Sequence, residues 1–281
     1  MSTKNNPPFL IIIFVSLLLF DAALWICILN KAKTLELDFL NVGQGDATLL
    51  KFPFSGRILI DAGDGQMIKS ALAQVQNYFD RHIDIWILSH ANLDHYGGFL
   101  KLLENNPPRL FIYNGFDADS SSFKTFKKSL KAKNIPIVIL SASDKMKIGE
   151  SYFEILWPVG RQPIKDLNDT SLILRLIYLK HSILFLGDAS TKITSLLTNI
   201  QSEILKLSHH GSKTGTDENI LNLIRPKIVL VGVGLNNRFS HPHQEVMDLL
   251  QKIGSQILRT DLNGTIKIIF NKDLLIQTDA N

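Results

Sequence analysis

Two imidazoles and a carboxylate lie close together in the segment 89–98 (SHANLDHYGG), directly after the apolar run 83–88. His90, Asp94 and His95 supply the nitrogen and oxygen donors that bind divalent metals in proteins. The apolar run predicts a buried strand that would deliver all three donors at its end. This pattern indicates a metal site. A hydrogen-bonded turn is the alternative that the segment alone leaves open.

The distribution of the other histidines favours the metal site. The chain has eight histidines, and most of them form three pairs: His90 with His95, His209 with His210, and His241 with His243. Two pairs, like Asp188, directly follow an apolar run, and the third follows one after a short loop. Side chains at the carboxyl ends of strands gather at one edge of open α/β sheets. The histidine pairs are therefore expected to meet there.

The segment 89–98 resembles the second motif of the metallo-β-lactamase fold superfamily, H-x-H-x-D-H. Further segments resemble, in the same order, the hydrolase domain of one branch, the ComEC family of DNA-uptake competence proteins. They are 37–47 (LDFLNVGQGDA), 58–63 (ILIDAG), 185–189 (FLGDA), 205–212 (LKLSHHGS), 237–242 (NRFSHP) and 260–266 (TDLNGTI). The resemblance covers about residues 34–270 and implies a metal-dependent hydrolase.

The resemblance implies a set of ligands for one or two divalent ions, zinc or manganese. It assigns His90 to a first metal, Asp94 and His95 to a second, Asp188 to a bridging position and His241 to the last ligand position. Local sequence leaves Asp188 an alternative role as the N-cap of a helix over 189–197.

Other polar residues are expected to assist the metal ligands. Asp94, His209 and His210 are the candidate catalytic groups, and which imidazole of the pair binds metal and which donates a proton stays open. The hydroxyls of Ser212 and Thr214 are candidates for holding a phosphate. Asp61 and Asp46 are expected to orient the ligand histidines by hydrogen bonds without binding the metal themselves. Asn168 or Asp169 is expected to line the cleft, and His243 to cap the following helix.

Asn92 departs from the superfamily pattern. The superfamily usually has histidine at this position and the ComEC branch often has aspartate, whereas a neutral amide is a weak ligand for a divalent ion. No histidine lies between His95 and His181, so the third histidine motif has no counterpart. We expect His181 in a surface hairpin turn. The first metal position is thus predicted to be weakened.

Periodicity predicts strands followed by helices, and then the same order again. Expected helices include 66–79, 99–103 after the glycines of the motif, 121–133, 220–224 and 244–253; one strand-rich stretch covers 256–270. Sequence alone supports an α/β or α+β class. The four-layer αββα sandwich is what the resemblance implies.

The N-terminal residues differ in character from the rest. Residues 9–29 are apolar except for Ser16, Asp21 and the amphipathic Trp25. They are long enough to span a hydrocarbon core of about 30 Å, which predicts a membrane helix. A cleaved signal peptide is the alternative, but no small-x-small site precedes Lys31. We therefore divide the chain into a tail and membrane helix (1–33) and a hydrolase domain (34–281). The single cysteine, Cys27, excludes an internal disulfide and cysteine-rich zinc sites.

The leading functional hypothesis is a membrane-anchored, metal-dependent nuclease that acts on DNA during uptake, with a separate channel protein as partner. The net charge of +4 favours polyanions modestly. The expected location is the membrane, with the hydrolase domain outside the cytoplasm. The alternatives are another hydrolase of this fold, acting on a phosphoryl ester such as phosphocholine, a lactam or a thioester, and a metal-poor, non-catalytic DNA-binding module.

Overall fold

The computed structural model describes residues 7–29, 34–53, 56–77, 81–160 and 164–279. The predicted domain boundary at 33/34 adjoins residues 30–33, which lie outside the described residues, and so do residues 1–6 of the predicted tail. Helix α1 (Pro7–Leu29) coincides with the predicted apolar helix. Within it, Pro8–Ile26 is long and apolar enough to cross a membrane, and it packs against nothing in the described structure.

The described residues after α1 form fifteen strands. In chain order they are β1 (Glu36–Phe39), β2 (Thr48–Lys51), β3 (Arg57–Ile60), β4 (Ile85–Ile87), β5 (Leu110–Tyr113), β6 (Ile137–Ile139), β7 (Lys145–Ile148), β8 (Ser151–Trp157), β9 (Ile173–Tyr178), β10 (His181–Phe185), β11 (Ile204–Lys206), β12 (Ile228–Val231), β13 (Gln256–Arg259), β14 (Ile266–Phe270) and β15 (Leu274–Thr278).

Seven further α-helices connect these strands within the described residues. They are α2 (Ile68–Val75), α3 (Leu93–Leu102), α4 (Ser121–Ala132), α5 (Thr191–Thr194), α6 (Glu218–Ile224), α7 (Gln244–Lys252) and α8 (Thr260–Asn263).

The strands form two mixed sheets. One has eight strands in the order β15-β14-β1-β2-β3-β4-β5-β6, and the other has seven in the order β13-β12-β11-β10-β9-β8-β7. The pairs from β3 to β6 and from β10 to β13 are parallel. Each sheet therefore has a half in which the strand ends point to the same edge.

The two sheets pack face to face between helical layers. Leu37 and Ile58 of the first sheet share one buried cluster with Leu174 and Ile183 of the second. A second cluster joins the other face of the first sheet to α2, α3 and α4, and a third joins the second sheet to α5, α6 and α7. The expected αββα sandwich is confirmed.

Helix α3 begins at Leu93 rather than at Phe99, which corrects the expected start of this helix. Gly97 and Gly98 are helical residues, and a Cβ on either would collide with the backbone of Asp64 or Ala62. Their function is thus close packing of the helix on the segment that follows β3. As a consequence, the first turn of α3 carries both Asp94 and His95.

Other expected bounds were also wrong. Helix α2 ends at Val75, before residues 78–80, which lie outside the described residues. The strand-rich stretch 256–270, by contrast, has the expected bounds and consists of two strands separated by α8. Strands β7 and β15 were not predicted, because both lie at sheet edges with alternate residues exposed, so that their apolar pattern is diluted.

His181 is buried and does not lie in a surface turn. It is the first residue of β10 and its side chain is 3% exposed. The turn is made by Leu179, with φ of +53°, and the next residue. The His181 ring then points inward, where Nδ1 lies 2.5 Å from Glu203 Oε2 and Nε2 lies 2.9 Å from the Asn271 carbonyl oxygen.

Candidate metal centre

The predicted site residues meet at the edge where the parallel strands of both sheets end. Asp61 follows β3, and His90 follows β4 by three residues. Asp188 follows β10 and His210 follows β11. Elements distant in sequence thus bring their polar ends to one place, as expected for open α/β sheets.

Asp61 orients His95 through a hydrogen bond to Nδ1, the ring nitrogen that faces away from Asp188. His95 Nδ1 donates a 2.9 Å hydrogen bond to Asp61 Oδ2, while the Ser89 backbone N–H donates to Asp61 Oδ1 at 2.8 Å. In the neutral imidazole this pairing places the proton on Nδ1, so that Nε2 carries the lone pair with which His95 would bind a metal. Burial opposes protonation of His95, but Asp188 and Asp61 outweigh burial and raise its pKa well above the usual value.

Asp188 stands at the centre of the cluster. Its Oδ2 lies 3.3 Å from His95 Nε2, 3.7 Å from His210 Nε2 and 3.9 Å from both His90 Nε2 and His209 Nε2. Burial disfavours its charged form, yet the surrounding imidazoles hold the pKa of this carboxyl well below its usual value. Asp188 is therefore an anion to which several nitrogen donors point.

Two serines fix the position of His90. Its Nδ1 lies 3.0 Å from Ser89 Oγ and 3.4 Å from Ser171 Oγ, and Ser171 Oγ also accepts the Asp188 backbone N–H at 2.9 Å. Complete burial, together with the neighbouring His95, lowers the pKa of His90 to about 3. His90 is a neutral imidazole at physiological pH, which is the state that binds metal.

His209 and His210 lie in a tight turn after β11, and both have left-handed backbone conformations, with φ of +47° and +55°. His210 Nδ1 donates to the Gly232 carbonyl at 2.8 Å, so its Nε2 faces Asp188 and lies 3.5 Å from Asp94 Oδ2. Burial opposes protonation, but Asp46 and Asp188 raise the pKa of His210 to about 10. His209 is more exposed, and desolvation lowers its pKa.

Several buried atoms of the cluster make no hydrogen bond. They include Nε2 of His90, His95 and His210, and Oδ1 of both Asp46 and Asp188. Potential ligand atoms of Asp46, His95, Asp188 and His210 all lie within 4.8 Å of one another. Unpartnered buried donors are costly unless something binds them, and this nitrogen and oxygen set suits a divalent transition metal. The residues present therefore fit a metal ion.

Asp94 and His241 flank this set. Asp94 is about a third exposed in its side chain, and interactions with His210 and His95 hold its pKa well below the usual value despite burial. The His241 ring meets the His209 ring edge-on at 5.6 Å, and its Nδ1 is buried without a hydrogen bond. Desolvation and the neighbouring imidazoles lower the pKa of His241 to about 4. Both residues are placed at the opening of the cluster.

The remaining predicted residues have other contacts. Asn92 Nδ2 donates to Asn168 Oδ1 at 2.6 Å. Ser212 Oγ and Thr214 Oγ1 lie 3.0 Å apart, and Thr214 Oγ1 lies 3.4 Å from His209 Nδ1. The Thr214 hydroxyl, itself in contact with Ser212, is therefore positioned to orient the His209 ring.

His243 occupies the N-cap position of α7, but its side chain makes no capping hydrogen bond. Its Nδ1 instead accepts the Lys213 backbone N–H at 3.1 Å.

Lys206 also belongs to this site, and like Ser89 and Ser171 it was not among the predicted site residues. Its side chain is 3% exposed, and Nζ contacts Asp46 Oδ2 and lies 3.8 Å from Asp188 Oδ1. Burial opposes the charge, but Asp46 and Asp188 raise the pKa of Lys206 above its usual value. A lysine within an otherwise apolar strand, directly before the histidine pair, is the sequence signal that could have identified it.

The chain belongs to the metallo-beta-lactamase superfamily, whose family model matches residues 40–234. Among characterised proteins it is similar to ComE operon protein 3 of Bacillus subtilis, with 31% identity over 254 residues that cover 83% of this chain and 32% of that protein. It is also 28% identical to competence protein ComA of Neisseria gonorrhoeae, over 81% of this chain and 31% of that protein. The expected resemblance to competence proteins is confirmed, and the chain spans about a third of the length of these relatives.

Solved structures show the same fold. The metallo-beta-lactamase fold protein YhfI of Bacillus subtilis superposes with a TM-score of 0.57 at 14% identity, over 84% of this chain and 99% of YhfI.

Proposed function

We propose that this chain is a metal-dependent phosphodiesterase that cleaves DNA at the centre around Asp188. The observation that carries the proposal is the convergence of unpartnered histidine nitrogens on one buried carboxylate, with Asp94 and His209 at the open side. This arrangement suits a reaction in which a phosphate enters from the side of Asp94 and His209.

His95, Asp188 and His210 would hold a divalent ion, with His90 beside them. The chemistry that such an ion supplies is acidification of a bound water and polarisation of a phosphoryl oxygen. Asp61 keeps His95 in the tautomer with the proton on Nδ1. Ser89 and Ser171, which contact Nδ1 of His90, favour the same tautomer of that ring. In this proposal His209, which is less buried than His210, exchanges a proton with a leaving oxygen.

The residues beside His241, at the opening of the metal centre, support the proposal of a nucleic-acid substrate. The Arg238 guanidinium lies 4.7 Å from the centroid of the Phe239 ring, and that ring stacks on His241 at 5.7 Å with an interplanar angle of 23°. Arginine and aromatic faces are the groups on which single-stranded nucleic acids stack. The similarity to competence proteins supports the same substrate class.

Helix α1 supports an anchoring role. In this proposal it crosses the membrane, the catalytic domain lies outside the cytoplasm, and a separate channel protein carries the DNA strand. The bound metal is proposed to be zinc or manganese.

The test uses the full chain purified in detergent and incubated with labelled single- and double-stranded DNA, with Mn²⁺, Zn²⁺ or chelator. Metal-dependent cleavage is expected, and Asp188→Asn should reduce it at least ~10³-fold, a loss typical for a group that acts directly in catalysis. Asp119→Asn, at an exposed position, is the matched control. Cleavage of a phosphomonoester such as phosphocholine without cleavage of DNA would instead identify another hydrolase of this fold.

The hydrogen bond from Asn92 to Asn168 favours a second candidate, a metal-poor DNA-binding module, because it engages the amide at a ligand position of the superfamily. A purified chain that binds DNA equally well with and without metal, and holds well under one ion per chain, would support this candidate.

A further inference from the structure

Lys206 places a positive charge inside the candidate metal centre. Its Nζ contacts Asp46 Oδ2, donates to the Gly187 carbonyl at 3.0 Å and lies 3.8 Å from Asp188 Oδ1. Asp46 and Asp188 are also the two carboxylates of the four-residue set that could hold a metal. One member of that set is therefore already paired with an ammonium group.

The strand geometry forces this placement. Lys206 lies in β11, which pairs in parallel with β10 on one side and β12 on the other. Its neighbours Leu205 and Leu207 pack into the cluster beneath the outer helices. Because side chains alternate between the faces of a sheet, Lys206 points to the inner face and towards the metal centre.

A buried ammonium is stable only with compensating partners. Asp46 supplies the charge and Gly187 the carbonyl. With its Oδ2 in contact with Lys206, Asp46 has only Oδ1 left to offer an ion, and the ammonium group balances its negative charge.

We propose that the Lys206 ammonium group replaces a second metal ion by balancing the negative charge of Asp46 and Asp188. The centre then binds a single ion, through His95, Asp188 and His210. The proposal rests on the proposed function only in treating the cluster as a metal centre. Asn92 also favours one ion over two, because its amide supplies no charge at a ligand position of the superfamily.

The experiment counts metal ions without using activity. The full chain in detergent is saturated with Mn²⁺ or Zn²⁺, freed of unbound metal by gel filtration and measured by mass spectrometry of the metal. We expect about one ion per chain in the original protein. In Lys206→Met, which keeps the apolar stem and removes the charge, Asp46 becomes available and a second ion is expected.

Two further variants make the count decisive. Asp46→Asn should keep one ion, because Asp46 pairs with Lys206 in this proposal; loss of the ion would make Asp46 a ligand and overturn it. Lys206→Met combined with Asp46→Asn should return the count to one. Lys192→Met, at an exposed lysine of α5, is the control for loss of a lysine.

The proposal is overturned if the original chain binds two ions or if a folded Lys206→Met protein still binds one. If Lys206→Met does not fold, the counts for the original chain and for Asp46→Asn decide. If the original chain binds no ion, the cluster is not a metal centre, and both this proposal and the proposed function are refuted. By contrast, failure to cleave DNA while the ion counts follow expectation would refute only the nuclease function.

Discussion

Asn92 donates a 2.6 Å hydrogen bond through its side-chain amide to the amide oxygen of Asn168. The bond joins the N-cap residue of α3 to the turn that precedes β9, so it connects the two sheets at the edge of the candidate metal centre. The position that carries a ligand in the superfamily pattern is used here for a contact between loops.

This contact predicts the effect of Asn92→Asp. A carboxylate at this position adds a charge beside His90, and the metal affinity of such sites rises with the number of charged ligands. We expect Mn²⁺ to bind on the order of tenfold more tightly, as measured by competition with a fluorescent chelator. Asn168→Ala, which removes the hydrogen bond without adding charge, is the control. Equal affinity in Asn92→Asp and the original chain would show that residue 92 does not reach the ion.

The contact between Asp61 and His95 predicts a second effect. Asp61→Asn replaces the acceptor of the His95 Nδ1 proton with an amide, which weakens control of the tautomer. Comparable changes behind a metal ligand cost roughly 10- to 100-fold in affinity or activity. Isothermal titration with Zn²⁺ should detect this loss. Asp119→Asn should bind Zn²⁺ like the original chain, and an Asp61→Asn protein that does the same would exclude Asp61 from ligand positioning.

The order of the motifs along the chain was enough to predict the fold and most of the cluster. His90, His95, Asp188 and His210 each follow a parallel strand, and the rule that such strand ends share an edge brought them together in advance. The same rule does not say where a strand begins or whether its first side chain points into the core. His181 was expected in a turn, yet the turn ends before it, and His181 is the first residue of β10.

The ion pair between Lys206 and Asp46 lay beyond sequence reasoning. Asp46 lies in the loop between β1 and β2 of one sheet and Lys206 in β11 of the other, and only the face-to-face packing of the sheets brings them into contact. Likewise, Gly97 and Gly98 resemble a loop in sequence, because the close approach of α3 to Ala62 and Asp64 appears only in the folded protein.

The raised pKa of His210 predicts how the metal-free protein responds to pH. Its pKa is about 10 in the folded chain, because Asp46 and Asp188 outweigh burial, against 6.5 for an ordinary histidine. This stabilisation is fully present below pH 6.5 and is lost as pH rises towards about 10. The midpoint of thermal unfolding in chelator should therefore fall across this range.

His210→Asn should reduce that pH dependence, since the titrating group is removed. Added Mn²⁺ should reverse the trend in the original chain, because metal binding releases the proton and is favoured at higher pH. An identical slope in the original chain and in His210→Asn would mean that His210 is not the group responsible.

The stacked pair Arg238 and Phe239 predicts a defect in substrate binding. Phe239 is 45% exposed and stacks on His241, so that Phe239→Ala removes a face for a base without touching the buried cluster. Loss of one stacked base costs about 1–3 kcal/mol. We expect KM for single-stranded DNA to rise roughly 5- to 150-fold with kcat nearly unchanged.

Tyr152→Ala is the matched control for Phe239→Ala. Tyr152 is 46% exposed and has Lys147 at 5.3 Å from its ring centroid, but it lies on β8, next to the edge strand β7. This pair offers the same cation and aromatic chemistry on an element that contributes no ligand to the metal centre. If both substitutions raise KM equally, binding is a general surface effect. If Phe239→Ala lowers kcat and leaves KM unchanged, Phe239 positions His241 instead of holding the DNA strand.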